Sequence, residues 1–307
     1  MTLLLHPGLH KTGTTWLQEA VFSNSPLFND LMTHQEIFDV FVRPHDFDFD
    51  PQVAAEYLTD RRRQMSDGRV DVISSETLCG TRMTGQRESR IIADRLAQTC
   101  QPAKILITIR EQKATLKASY FQYIKRGGRK SIDEYLSFRP EPGFYFFDKD
   151  QLSYDRLIEH YAKLFGAENL LVLPQEALAR KLEAYFDQLV LHATGRLPDI
   201  HTPMPDRTRI GASPPASGLP LLRLSSHFRR TPVDNDPFMP FEPIGNLLAS
   251  LGYRWKIGER AAAHRIDEAM SAATENRYAA SNANIQRYCP FDLAELGYQV
   301  AGGPPVD

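Results

Sequence analysis

The opening of the chain confines it more tightly than anything that follows. Leu3, Leu4 and Leu5 form a short apolar run, His6-Pro7-Gly8-Leu9-His10-Lys11-Thr12-Gly13-Thr14-Thr15 follows, and Trp16 and Leu17 lead a stretch of helical composition. A strand that passes through a glycine-bearing loop straight into a helix turns backbone N–H groups and a positive helix end toward an anion. Gly13 lets the backbone approach such an anion with no Cβ in the way, Thr14 and Thr15 can each offer a hydroxyl, and Lys11 supplies a mobile point charge.

The rest of the sequence keeps the same rhythm. Short apolar runs bounded by turn residues predict strands at Thr2–His6, Val70–Ser74, Lys104–Arg110 and Asn169–Pro174. Stretches of helical period lie between them at about 14–23, 86–99, 112–126, 131–137 and 154–165. In 175–194, Leu178, Leu182, Tyr185, Phe186 and Leu189 share one helical face, which reads as core. From His201 to Pro243 nine prolines interrupt any long element, so an irregular wrap with one short helix near 219–228 is expected there. Helical composition returns from Gly258 to Tyr288. The fold class is α/β, a three-layer sandwich around a parallel sheet of four to five strands. Without a clean linker, 1–307 reads as one domain, 1–200 forming the α/β core and 201–301 an irregular and helical part packed on it.

Two further groups stand where open α/β sheets bind ligands, at the carboxyl ends of strands. Arg110 ends the third strand, with Ser119 about two turns into the helix after it. Glu76 stands just past the second strand, beside the expected position of the loop, whereas Asp71 lies at the wrong end of that strand.

These residues carry a family resemblance. The loop is not GxxxxGK[ST], because the lysine precedes the second glycine and a threonine follows it. Lys11-Thr12-Gly13-Thr14-Thr15-Trp16 resembles the 5′-phosphosulfate loop of the sulfotransferases. Ile109-Arg110 through Ser119-Tyr120 resembles the unit that holds the donor's 3′-phosphate in that family, and Ser131-Ile132-Asp133-Glu134-Tyr135-Leu136 continues the likeness. Gln112 stands where the family usually has proline, a change that leaves charge and spacing intact. Arg209-Ile210-Gly211-Ala212-Ser213 resembles a degenerate Arg-x-Asn-x-Ser segment, with Arg209 at the nucleotide end, and Ser281-Asn282-Ala283 resembles a C-terminal helix pattern that serves packing and capping.

The resemblance implies a P-loop NTPase-like fold and a transferase that uses 3′-phosphoadenosine-5′-phosphosulfate (PAPS) as co-substrate, without metal. It casts Lys11 and Glu76 as catalytic, and Lys11, Thr12, Gly13, Thr14, Thr15, Trp16, Arg110, Ser119 and Arg209 as donor-binding. Glu after the second strand resembles the glycan-modifying members, so the implied acceptor is a carbohydrate or another small alcohol or amine, covered by the proline-rich segment and the 25–65 region. Two competing readings share the architecture: a kinase using a nucleoside triphosphate and magnesium, and a nucleotide-binding protein without turnover.

Composition narrows the partners. A net charge of −2 argues against a polynucleotide as main partner yet leaves room for a local basic pocket. No run approaches the ~20 apolar residues of a membrane span and no signal-peptide core is present, so no stable membrane insertion and a cytoplasmic address are expected. Cys79, Cys100 and Cys289 are widely spaced and read as reduced thiols. Lys125, Arg126, Arg129 and Lys130 flank Gly127 and Gly128 in a basic turn, read as a solvated face, and Arg61-Arg62-Arg63 reads as helix-surface decoration. His10, adjacent to Lys11, reads as a loop residue in preference to a second donor near the sulfuryl group. The sequence leaves the oligomeric state open.

Overall fold

The computed structural model describes residues 3–65, 67–82, 85–137, 147–199, 201–205, 213–233, 239 and 241–302. Five strands, β1 (Leu3–His6), β2 (Phe28–Asp30), β3 (Val70–Ser74), β4 (Lys104–Ile109) and β5 (Leu170–Pro174), form one sheet in the order β2-β3-β1-β4-β5. Every pairing is parallel. β1, β3 and β5 are buried along their whole length, because helices cover the sheet, and such strands read as unbroken apolar runs. The expected α/β class with a central parallel sheet is therefore the observed one.

In chain order the helices are α1 (Thr14–Trp16), continued by a π-helical turn at Leu17–Phe22, then α2 (His34–Ile37), α3 (Pro51–Met65), α4 (Ser89–Thr99), α5 (Gln112–Lys125), α6 (Ile132–Leu136), α7 (Asp155–Phe165), α8 (Gln175–Arg180), α9 (Leu182–Thr194), α10 (Leu219–Ser225), α11 (Glu242–Arg254), α12 (Glu259–Thr274) and α13 (Ala279–Ile285). Among the described residues no helix is long and apolar enough to cross a membrane.

The chain divides into two compact units: residues 1–111, 145–210 and 278–307, and residues 112–144 and 211–277. The first holds the sheet. From β1 the chain runs to β2 and returns to β3 on one side, whereas β4 and β5 extend the sheet on the other, so the strand order switches direction between β1 and β4. That switch point is where open α/β sheets present a ligand crevice. α7 turns Ile158, Tyr161 and Phe165 inward and stops at Gly166, whose φ of 90° suits a residue without a Cβ. The apolar stripe of 175–194 is buried at Leu182, Tyr185, Phe186 and Leu189, but Lys181 divides the segment into two helices.

Region 25–65 supplies the strand missing from the sequence reading. β2 is only Phe-Asn-Asp, with no apolar run to reveal it; Asn29 donates to the buried Asp71 carboxylate at 3.1 Å, and Arg69 donates to the Phe28 carbonyl at 2.9 Å. Arg62 also reaches that carboxylate, at 2.9 Å, so it is more than surface decoration; Arg63 is exposed and pairs with Asp60.

In the second unit α12 packs on α5 and α6, with Lys117 against Asp267 at 2.7 Å and Arg265 against Asp133 at 3.4 Å. α10 and α11 approach through small residues. A Cβ on Gly218 would stand 1.9 Å from the Gly252 carbonyl oxygen, and Gly245, Ala249 and Gly252 are the buried positions of α11.

Candidate functional site

The loop between β1 and α1 is held in a conformation that side chains usually avoid. Lys11 has φ 71° and Gly13 has φ 92°, both left-handed. A lysine there is uncommon and marks a constrained backbone. Gly13 caps the helix, and the Leu17 N–H returns to its carbonyl at 3.2 Å. A Cβ on Gly13 would come within 3.3 Å of Leu178 on α8 and one on Gly8 within 2.7 Å of the Thr14 hydroxyl, so Gly8 is required by close approach and Gly13 chiefly by its left-handed backbone. Lys11 and Thr15 are exposed, whereas Thr12, Thr14 and Trp16 are buried.

Beneath the loop runs a directed chain of hydrogen bonds. The Thr12 hydroxyl donates to the Leu9 carbonyl at 2.5 Å, which leaves its oxygen to accept from Thr108 at 2.7 Å. Thr108 has then spent its only proton, so it accepts from His6 Nε2–H at 3.2 Å. His6 Nδ1 in turn accepts from Ser74 at 2.8 Å, and Ser74 Oγ accepts from Gln18 Nε2 at 3.2 Å. One tautomer of His6 satisfies every link, and it is neutral: burial pushes the imidazole down to about 3. His6, Ser74 and Thr108 come from β1, β3 and β4, so three adjacent strand ends are tied to Thr12 in one network. Thr12 thus spends its side chain inward, fixing the loop from below.

The carboxylate side of the site follows β3. Ser75 caps a 3₁₀ turn at Glu76–Cys79: its hydroxyl accepts from the Thr77 N–H at 3.2 Å and its own N–H donates to the His6 carbonyl at 3.3 Å. That pins Glu76, half-buried, two residues beyond the strand that borders β1. Glu76 is close enough to His10 for their charges to interact. Burial, then the Arg82 guanidinium, and more weakly Lys11, hold the His10 imidazole down at about 4, against the opposing pull of the Gly80 carbonyl and the Glu76 carboxylate. His10 is accordingly a neutral donor to the Gly80 carbonyl at 3.2 Å, a loop residue as expected.

Sequence reasoning missed His6, Thr108 and Arg82. Arg82 is buried and its guanidinium donates to the His10 carbonyl, so a cation braces the loop backbone next to Lys11. The available signal was polar residues closing otherwise apolar strands, His6, Ser74 and Thr108 among them. His34 is a further histidine near this edge; its Nδ1 lies 2.9 Å from the Ser75 hydroxyl, and the side chain is exposed.

Arg110, half-buried, follows β4, and its guanidinium donates to the Lys11 carbonyl at 3.4 Å. The chain around it is fixed: Tyr154 donates to the Arg110 carbonyl at 2.7 Å, and the Glu111 N–H donates to Glu176 at 3.2 Å. Arg110 and the loop therefore share one edge of the sheet, at the switch point between β1 and β4. Ser119 belongs to the second unit, buried on α5, where its hydroxyl donates to the Thr115 carbonyl at 2.6 Å. Arg209 lies outside the described residues. Ser281 and Asn284 bond the Asp155 carboxylate at the start of α7, at 2.6 and 3.1 Å, a packing and capping role.

No family model matches the sequence, and no curated protein matches it. Solved structures do. A sulfotransferase from Alicyclobacillus acidocaldarius superposes with a TM-score of 0.50 at 18% identity, over 85% of this chain and 99% of that one. The sulfotransferase domain of the Synechococcus PCC 7002 olefin synthase gives 0.41 at 12% identity, over 81% and 93%. The sulfotransferase domain from the curacin biosynthetic pathway gives 0.39 at 12% identity, over 88% and 97%. The class of protein that the first of these supports is a matter of fold: the chain has the P-loop-like α/β fold of a sulfotransferase.

Proposed function

We propose that the chain is a PAPS-dependent sulfotransferase acting on a hydroxyl or amine of an acceptor, with a carbohydrate or other alcohol favoured. The observation that carries the reading is the Arg110 guanidinium bonded to the backbone of Lys11, at the strand-order switch of a parallel sheet. Two cations and a left-handed, glycine-bearing loop at one sheet edge form an anion site suited to a ligand with phosphates at both ends.

Each residue then has a role that follows from its chemistry. Exposed Thr15, the loop amides and Lys11 bind the 5′-phosphosulfate and neutralise the leaving phosphate as its bond to sulfur breaks. Arg110 holds the 3′-phosphate. Glu76 takes the proton of the acceptor hydroxyl as the new oxygen–sulfur bond forms. His10, its basicity lowered by burial and the Arg82 guanidinium, is a weaker proton acceptor than its ordinary value would make it, so Glu76 is favoured as base.

Glu76→Gln tests the assignment. It should lower donor consumption, measured against a panel of carbohydrate and alcohol acceptors, by about 10²–10⁴-fold while leaving the affinity for adenosine 3′,5′-bisphosphate within about twofold. A variant that turns over like the parent would remove Glu76 from the chemistry.

A further inference from the structure

The second unit carries a concentrated exposed apolar surface. Among the described residues, ten of the sixteen exposed large apolar side chains lie between Leu224 and Ile257. α11 is built inside out for a solvated helix: its small residues Gly245, Ala249 and Gly252 face α10, and Ile244, Leu247 and Leu251 stand in solvent, with Leu247 60% exposed. The segment that leaves it, Tyr253-Arg254-Trp255-Lys256-Ile257, is exposed at every position, cations alternating with aromatic and aliphatic groups.

The basic turn singled out in the sequence joins this surface. The Val233 N–H donates to the Arg126 carbonyl at 3.3 Å, and Arg223 donates to the Arg129 carbonyl at 2.9 Å. The Met239 and Phe241 N–H groups donate to the His227 and Phe228 carbonyls, each at 3.0 Å, so basic turn, exit of α10 and entry of α11 are bonded into one patch. The unit has fifteen Lys and Arg against ten Asp and Glu, although the chain as a whole is net acidic.

We propose that this face docks on an anionic lipid surface, with α11 and Trp255 entering the headgroup boundary and Lys125, Arg126, Arg254 and Lys256 meeting the lipid phosphates. An exposed apolar helix face ending in Trp and Tyr among cations is the pattern of an interfacial helix. Apolar exposure concentrated on one patch has a cost in water that a partner removes. A second copy of this chain fits less well, because a twofold contact would set this cation-rich surface against itself, with Glu242 the exposed acid of α11 to offset it. The inference is independent of the catalytic reading.

Cosedimentation with phosphatidylcholine vesicles, and with vesicles doped with phosphatidylglycerol, tests it. The chain should sediment with the doped vesicles and stay in solution with the neutral ones. Leu247→Ser combined with Leu251→Ser and Trp255→Ser, and separately Lys125→Gln combined with Arg126→Gln, should each weaken partitioning roughly tenfold or more. All five side chains are exposed, so both variants should melt like the parent. Three results would overturn the proposal: no sedimentation with either vesicle, binding that the apolar variant leaves unchanged, or a concentration-dependent dimer that the apolar variant abolishes.

Discussion

The two compact units use opposite kinds of surface. In the first, polar groups are turned inward: His6, Ser74, Thr108 and Thr12 are buried under a loop whose chain direction they fix. In the second, large apolar groups are turned outward, and glycines make the close contact between α10 and α11. The first also holds twenty-one Lys and Arg against twenty-eight Asp and Glu, the reverse of the second. A satisfied buried polar network rigidifies the groups it joins, and a contiguous exposed apolar surface favours contact.

That contrast can be broken by substitution, starting from the polar network. His6→Leu removes the link between the Ser74 and Thr108 hydroxyls, leaving Gln18 and Thr12 as their remaining partners, and should lower stability by about 2–3 kcal/mol in urea denaturation. A loss below about 1 kcal/mol would show that the network does not hold the strand ends.

Acidification attacks the same region. His6 and His10 are held at about 3 and about 4 in the folded chain, below the ordinary value of 6.5. The unfolded chain therefore takes up protons that the native state refuses, and stability is lost as pH falls below about 6.5. His6 alone should account for about 2–3 kcal/mol by roughly pH 4.5, and a pH series of urea midpoints for the parent and His6→Gln should converge at acid pH.

In the second unit, Gly218→Ala forces α10 and α11 apart, with an expected cost of about 2 kcal/mol. Hydrogen exchange should show the loss in α10 and α11, with β1 and β4 still protected. Leu247→Ser sharpens the comparison from the other side: an exposed leucine that serves contact should change the melting free energy by less than about 0.5 kcal/mol.

Much of the first unit was legible because parallel, buried strands write themselves as apolar runs, and the loop has the composition its geometry demands. Four strands, α4, α7 and the 175–194 segment follow from that, whereas α2 and α3 were not in the sequence reading. β2 was not legible, since three residues, two of them polar, carry no period; its place is set by Asn29 and Arg69 through bonds that spacing cannot show. The placement of Lys11 in the loop, and of Glu76 and Arg110 just past strand ends, was readable from the order of apolar runs and turn residues. Arg82 was not, because its function lies in the backbone carbonyl it braces rather than in a motif. The sequence reading placed no helix between Pro243 and Gly258, so α11 was missed altogether, and only the Gly218–Gly252 approach shows which of its sides is covered.

Calorimetric titration with adenosine 3′,5′-bisphosphate in the presence of chelator bears most directly on the loop and Arg110 acting together. Saturable, metal-independent binding at one site is expected, weakened at least about tenfold by Lys11→Ala and comparably by Arg110→Ala. Binding that requires magnesium and is displaced by adenosine triphosphate, or no binding at all, would contradict it.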